Sequence, residues 1–516
     1  MIEIKNLSIK VNDRYLIKDL TLNLNKNDKL AIIGEEGNGK STLLKCIIDK
    51  CDYAEITGTI NLNNNKIGYL EQNIKEEYKN QKVYNYIFID DIDYYNKINN
   101  FYKYLEILNL KDNILDKYLN TLSGGEKIKI AILKLLLNDN DVLLLDEPTN
   151  DLDIETLLWL ENFINRIDIP IIYISHDETL LSKTANMILH LESLKRKTEC
   201  KHTLLKIRYE EYVDLRLRTI NNQTQIHNFE RKELEKREEK LKKQKQRVEF
   251  EQNNISRSDP HGGRLLKKKM HNIKSQERKI ENLDITEKPD PEEAINFIFE
   301  KVYIPNDKKI LSLNLDILKV KNNILSKNIE LNIRGNEHIC IIGKNGVGKT
   351  TLIRIIYDNL KDRKDIKIGY MPQDYSEAFD GYDNVLDYIT NNSKNKDEIT
   401  KVRMYLGNMK FTSEEMISKI NNLSGGSKAK LILMKLVLEK SNVLILDEPT
   451  RNVSPLSNPV IRKVLKEFKG TIISVSHDRK YIEEVINKLY VLTNNGLNLI
   501  RKDDYIEKLI EKQPKN

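Results

Sequence analysis

Four apolar runs of strand length punctuate the chain: Leu30–Ile33, Val142–Leu145, Ile339–Ile342 and Val443–Leu446. Short, continuously apolar runs bounded by glycine or acidic residues read as strands buried on both faces, the kind found in parallel sheets. Each run beginning at Leu30 or Ile339 leads into a glycine-rich turn and then a helical pattern. A different pattern fills the middle of the chain. Residues 208–251 hold no Gly or Pro and are rich in Glu, Lys, Arg and Leu, which predicts a long helix. Leu234, Leu241 and Val248 recur at seven, a sparse heptad seam. The stretch Ser256–Gly263 interrupts it, and Leu266, Met270, Ile273 and Ile280 then recur at steps of four and three, before Pro289 and Pro291. The pattern predicts an antiparallel helical hairpin over 206–294, its tip near 252–263, with Pro260-His-Gly-Gly263 fixing a sharp turn. Helices of about 35–40 residues would each span roughly 50–60 Å.

On either side of the hairpin the chain repeats itself. Gly34-Glu-Glu-Gly-Asn-Gly-Lys40-Ser41 returns as Gly343-Lys-Asn-Gly-Val-Gly-Lys349-Thr350. Leu122-Ser-Gly-Gly125 returns as Leu423-Ser-Gly-Gly426, Leu145-Asp-Glu-Pro-Thr149 as Leu446-Asp-Glu-Pro-Thr450, and Ser175-His-Asp177 as Ser476-His-Asp478. From Gln72 and Gln373 onward the two copies stay 301 positions apart. Two α/β domains are therefore expected, at 1–205 and 295–510, with a short tail at 511–516.

The repeated motifs carry chemistry. In Gly-x-x-x-x-Gly-Lys-Ser/Thr the glycines let backbone N–H groups point at phosphates. Lys40 and Lys349 would reach the β- and γ-phosphates, and Ser41 and Thr350 would hold Mg²⁺. The strands Val142–Leu145 and Val443–Leu446 run into acid pairs. Asp146 and Asp447 suit Mg²⁺ positioning, and Glu147 and Glu448 are placed to polarise an attacking water as general bases.

Composition changes this picture in one place. The 516 residues carry a net charge of +7, yet residues 240–279 alone hold thirteen Lys/Arg against four Asp/Glu. The remainder is close to neutral, and the hairpin is the basic element, which points to nucleic acid or another anionic surface. The four cysteines have no metal-type spacing and suit a reducing compartment. No apolar run approaches the roughly 20 residues a membrane span needs, and the first residues show no leader pattern.

Taken together, the phosphate loops, acid pairs and Leu-Ser-Gly-Gly signatures resemble the ATP-binding-cassette superfamily, over essentially all of the chain outside the hairpin. The resemblance implies an ATPase in which the signature of each cassette caps ATP held by the other. Ser424, Gly425, Gly426 and Ser427 would complete the site on Lys40, and Ser123, Gly124, Gly125 and Glu126 the site on Lys349. It places Gly34, Gly37, Asn38, Gly39, Lys40, Ser41 and Thr42 on ATP in the first loop, and Gly343, Asn345, Gly346, Gly348, Lys349, Thr350 and Thr351 in the second. Gln72 and Gln373 would sit near Mg²⁺ and water, with His176 and His477 as switch histidines on the γ-phosphate. Tyr15 would stack on adenine. The equivalent position is Ile324, and the Asp153 of the first D-loop is matched by Ser454, so two unequal but functional sites are expected.

Two cassettes joined by a charged hairpin are similar to the ABC-F subfamily, whose members bind ribosomes at the exit-tRNA site with the linker reaching toward the peptidyl-transferase centre. Equal spacing of 51 residues from Gln72 to Ser123 and from Gln373 to Ser424 leaves no room for the large insertion of many housekeeping members. The stretch Glu448–Pro459 is similar to that of resistance members from Gram-positive bacteria, and the chain ends soon after the second cassette. The resemblance implies a cytoplasmic, ribosome-associated monomer using ATP and Mg²⁺. It would protect the large subunit from peptidyl-transferase-centre antibiotics, with rRNA and P-site tRNA as partners. Lys242, Lys243, Lys245, Arg247, Arg257, His261, Arg264, Lys267, Lys268 and Lys269 are the expected RNA contacts. The alternatives are a housekeeping translation factor of the same subfamily and, from another class, the ATPase subunit of a membrane transporter, for which a long basic hairpin has no use.

Overall fold

Alternating inward residues such as Ile2 and Ile4 shape β1 (Ile2–Val11), which turns through Asn12-Asp13 into β2 (Arg14–Leu24). Both turn residues have positive φ, 47° and 62°, the backbone that matches the twist of a tight hairpin. The computed structural model describes residues 1–72, 75–194, 199–254, 260–281, 302–393, 395–409, 411–502 and 504. The run at Leu30 is β3 (Lys29–Ile33), buried throughout. It is followed by α1 (Lys40–Ile47), β4 (Glu55–Asn61), β5 (Ile67–Leu70) and three helices, α2 (Glu76–Lys79), α3 (Val83–Ile87) and α4 (Asp91–Ile107). Then come α5 (Gly124–Leu137), β6 (Val142–Asp146), α6 (Ile154–Arg166), β7 (Ile171–Ile174), α7 (Glu178–Thr184), β8 (Met187–Leu194) and β9 (Glu199–Leu205).

The central sheet of this first cassette has the order β5-β6-β7-β3-β8-β9, parallel except for β9, and a smaller antiparallel sheet has the order β2-β1-β4. Both faces of the parallel strands are covered, which is why their sequences read as unbroken apolar runs. The motif loops all leave the carboxyl ends of these strands, where α/β sheets place ligands: the phosphate loop after β3, Gln72 after β5, Glu147 after β6 and His176 after β7.

In chain order, α8 (Tyr209–Asn254) and α9 (Pro260–Glu281) follow the first cassette. Residues 211–291 form a unit of their own. Val248, Leu266, Met270 and Ile273 cluster between the two helices, and Lys245 Nζ donates to Glu277 Oε1 at 3.0 Å. Lys269 approaches Glu251 at 4.0 Å, so residue numbers rise on one helix as they fall on the other, and the pair is antiparallel. α8 has 46 residues, longer than expected. Pro260-His-Gly-Gly263 is the first turn of α9 rather than a sharp reversal. Proline's fixed φ and missing N–H suit an opening helical turn, and that preference outweighs the two glycines. Arg257 and the tip at 255–259 lie outside the described residues, as do 282–301 and 505–516, which include parts of the expected domain ends.

The second cassette repeats the first: β10 (Lys309–Val320), β11 (Asn323–Arg334), β12 (His338–Ile342), α10 (Lys349–Leu360), β13 (Ile368–Met371), α11 (Val385–Thr390), α12 (Lys396–Asn408) and α13 (Ser413–Ile417). It continues with α14 (Gly425–Leu438), β14 (Val443–Asp447), α15 (Asn458–Lys466), β15 (Thr471–Val475), α16 (Arg479–Val485), β16 (Lys488–Thr493) and β17 (Gly496–Ile500). Its sheet order, β13-β14-β15-β12-β16-β17, is that of the first. The two differ upstream of the glutamines. Lys40 to Gln72 spans 32 positions and Lys349 to Gln373 spans 24; the longer first segment contains β4, which adds a third strand beside β1. Both cassettes belong to one compact unit, and Ile154 and Leu158 of the first join the apolar cluster of the second.

Candidate active sites

Each phosphate loop ends on a glycine that caps the next helix. Gly39 and Gly348 have φ of 89° and 102°, and a Cβ on Gly39 would lie 3.0 Å from the Leu16 side chain. Neither α1 nor α10 has a side-chain cap, so their first N–H groups remain available to an anion. Lys40 Nζ donates to the carbonyls of Gly34 and Glu35 at 2.8 and 3.0 Å, and Lys349 Nζ to those of Gly343 and Lys344 at 2.8 and 3.1 Å. Burial lowers the pKa of both lysines. Asn38 is turned away, donating to Leu191 O at 2.9 Å.

The acid pairs differ between the sites. Asp146 accepts from Ser41 Oγ at 2.9 Å and from Tyr69 Oη at 3.1 Å. Among the described residues, neither carboxylate oxygen of buried Asp447 has a partner at full hydrogen-bond geometry; Thr350, which lies beside it, donates its Oγ1 proton to Gln373 Oε1 at 3.2 Å. Burial raises both aspartates. Glu147 accepts from Gln72 Nε2 at 3.0 Å and Asn150 Nδ2 at 2.7 Å, and its Oε1 lies 3.3 Å from His176 Nε2. Burial opposes its ionisation, but His176, Asn150 and Lys40 outweigh burial and hold the carboxyl at about 2. Glu448 accepts the backbone N–H of His477 at 3.2 Å, with the imidazole 3.8 Å away. Burial and the Asp447 charge push Glu448 up to about 8, and burial and the Lys349 charge push His477 down to about 3. Both glutamates have left-handed backbones, φ 50° and 55°. Their N–H groups are tied to Ile174 O at 3.1 Å and Val475 O at 2.9 Å.

The cassettes meet loop to signature. In the first site, Glu36 Oε2 accepts from Gly426 N at 2.7 Å, and Lys430 Nζ pairs with Glu35 Oε1 at 2.9 Å. In the second, Asn345 Nδ2 donates to Asp151 O, Lys344 pairs with Glu155 at 3.1 Å, and a Cβ on Gly124 would lie 3.8 Å from Asn345 Nδ2. Asp153 caps α6 through Thr156 N at 3.0 Å and accepts from Asn345 N at 3.4 Å, whereas Ser454 bonds locally to Ser457. Ser123 and Glu126 form a capping box on α5, and Ser424 accepts from Ser427 N at 3.2 Å on α14. A cavity of about 1060 Å³ is lined by Gln72, Gly124, His176, Asn345, Gly346, Gly348, Lys349, Thr350, Thr351, Gln373, Asp447, Glu448 and His477. Tyr15 and Ile324 are exposed by 48% and 55% on equivalent strands, β2 and β11. Glu35, Glu36 and Lys430 were missed as partners. The signal was present, because two acids occupy a loop built for phosphates where the second loop has Lys344-Asn345.

Residues 17–150 and 326–451 each match the ABC transporter family. The chain belongs to the ATP-binding-cassette ATPases. Similar curated proteins cover nearly its whole length. It is 32% identical to the ATP-binding protein Uup of Buchnera aphidicola subsp. Acyrthosiphon pisum, over 96% of this chain and 81% of that one. It is 29% identical to the ribosome protection protein VmlR of Bacillus subtilis, over 96% and 87%. It is 26% identical to ABC transporter F family member 2 of Arabidopsis thaliana, over 96% and 77%. These relatives put the cassette ATPase in the ABC-F type. Among solved structures, archaeal ribosome recycling factor aABCE1, crystallised with stalk protein aP1, shares the fold at TM-score 0.61 and 16% identity, over 97% of this chain and 92% of that one. Among the described residues no helix is long and apolar enough to cross a membrane.

In the hairpin, Lys242, Lys243, Arg247, Arg264, Lys267, Lys268 and Lys269 are exposed. Lys243 pairs with Glu239 at 2.7 Å and Arg247 with Glu251 at 3.7 Å, while Lys245 is committed to Glu277. His261 lies in the opening turn of α9.

Proposed function

We propose that this ATPase binds the bacterial ribosome and protects the large subunit from antibiotics of the peptidyl-transferase centre. The hairpin enters by the exit-tRNA site and displaces or reshapes P-site tRNA and nearby rRNA. The observation that carries the reading is the hairpin's run of exposed cations on α8 and α9, since phosphate neutralisation dominates affinity for RNA. The likeness to a ribosome protection protein of Bacillus subtilis supports it.

In this reading the closed cassettes hold two ATP molecules and form the ribosome-binding state; hydrolysis reopens them and releases the protein. Lys40 and Lys349 leave their carbonyl partners for the β- and γ-phosphates, and the signatures on α5 and α14 present helix N-termini to the γ-phosphate. Glu147 takes the proton of the attacking water as the carboxylate, and Glu448, pushed up to about 8, does so from its ionised fraction, with His176 and His477 beside them. The buried Asp447 carboxylate, beside Thr350 and Gln373, would fit a cation, as would the Ser41, Gln72 and Asp146 set. Mg²⁺ held there would neutralise charge on the phosphate oxygens.

The test is expression in a sensitive host, with inhibitory concentrations measured for lincosamides, pleuromutilins, streptogramins, phenicols and oxazolidinones. The expected result is a rise for at least one class, abolished by Glu147→Gln with Glu448→Gln. No rise for any class, with ribosome binding intact, would favour the translation-factor reading instead.

A further inference from the structure

Where the loops after the two switch histidines meet, the cassettes share a buried ion network. The Arg462 guanidinium pairs with both oxygens of Glu178, and its Nε donates to Glu484 Oε2 at 3.0 Å. The Arg479 guanidinium pairs with Glu161 and approaches Asp177 at 3.3 Å. Lys480 Nζ donates to Glu178 Oε2 at 3.2 Å, and Lys183 Nζ to Glu161 Oε2 at 3.1 Å. Side chains of Glu161, Glu178, Arg462 and Arg479 are between 3% and 7% exposed, so these charges are removed from water and must be matched.

The repeat arithmetic shows how they are matched. Glu161 and Arg462, Glu178 and Arg479, and Lys183 and Glu484 are each 301 positions apart, so they occupy equivalent places in the two cassettes. At all three the sign is reversed. The contacts are also reciprocal: Glu161 meets Arg479, and Glu178 meets Arg462. In a pair of first cassettes the same geometry would set Glu161 against Glu178. In a pair of second cassettes it would set Arg462 against Arg479. Either would bury like charges against each other, an arrangement that strongly disfavours an interface. The phosphate loops share the polarity, with Glu35 of the first loop on Lys430 and Lys344 of the second on Glu155.

We propose that this charge-reversed network is the specificity element of the cassette interface: it admits only a cassette of opposite polarity and rejects its own kind. Because Asp177 follows His176 and Arg479 lies two residues after His477, a mismatch in the network also displaces both histidine loops.

The test transplants the polarity in the full-length chain. One variant converts only the first cassette, with Glu161→Arg, Glu178→Arg, Thr179→Lys and Lys183→Glu. A second adds Arg462→Glu, Arg479→Glu, Lys480→Thr and Glu484→Lys, which restores opposite signs with the halves exchanged. ATP turnover of the first variant should fall about 100-fold, as expected for like charges buried at close range. The second should recover to within about fivefold of the original. Thermal unfolding followed by circular dichroism accompanies both. If the first variant does not fold, recovery of folding and turnover in the second carries the proposal. Full turnover in the first variant, or a second variant no better than the first, would overturn it. A role that rests on the shape or packing of these side chains rather than on their sign gives no such rescue.

Discussion

The backbone N–H of Gly426 donates to Oε2 of Glu36 at 2.7 Å, so a carboxylate from the first phosphate loop sits on the N-terminus of the second cassette's signature helix. A helix N-terminus favours any anion, and in the proposed closed state the γ-phosphate of ATP takes the same N–H group. Glu36 and ATP should therefore compete. With Glu448→Gln present to silence the second site, Glu36→Ala should lower the ATP KM by about tenfold, the lower end of the worth of one hydrogen bond to a charged group. Steady-state hydrolysis measures it; a raised KM would show that Glu36 aids binding instead.

Removal of both proposed general bases should separate closure from turnover. The pair Glu147→Gln and Glu448→Gln should lose about 100-fold or more in hydrolysis while still binding ATP. Pelleting with ribosomes in ATP should then recover more of this variant than of the original chain. Undiminished hydrolysis would remove both glutamates from the mechanism.

Base selectivity should differ between the sites. Tyr15 offers a π-face at its strand position and Ile324 does not. In chains with one site silenced, the site served by Tyr15 should prefer ATP to GTP more strongly. Ile324→Tyr should bring the other site up to it. Equal preference at both sites from the outset would count against adenine stacking.

The cationic face of α9 should set the salt dependence of ribosome binding. Each phosphate contact contributes up to about 0.9 to the slope of log affinity against log salt. Lys267 and Lys268 are exposed, while Lys269 is drawn toward Glu251. Gln at all three positions should therefore flatten the slope by about 2 rather than 3, the weaker share coming from Lys269. An unchanged slope would place the RNA contacts elsewhere.

The fold was legible wherever residue type alone decides conformation. The apolar runs at Leu30, Val142, Ile339 and Val443 became buried parallel strands because no other element buries so short an unbroken run on both faces. The motif residues fell at strand ends for the same reason. What escaped the sequence depends on partners far away along the chain. Glu36 stands out in the letters as an acid in a phosphate-type loop, but its partner appears only when the signature helix stands opposite it. The sign reversal at 161 and 462 is visible in the letters, but only the crossing of α7 and α16 shows which charge faces which. β4 has exposed side chains along most of its length and lacks the apolar alternation that marks a strand. The opening of α9 escaped for another reason: glycines weighed as turn formers proved subordinate to the proline before them.

Glu147 and Glu448 hold left-handed backbones that a side chain enters only at a cost on the order of 1–3 kcal/mol. The hydrogen bonds to Ile174 and Val475 keep them there. Glycine at Glu448 would rest in the same conformation without that cost and would leave out a carboxyl whose charge burial disfavours, so a chain without this proposed general base should melt higher than the working one; at Glu147 the lost bonds from Gln72 and Asn150 offset the same gain. If Glu448 is the general base, selection for turnover holds this protein below the stability its own architecture permits.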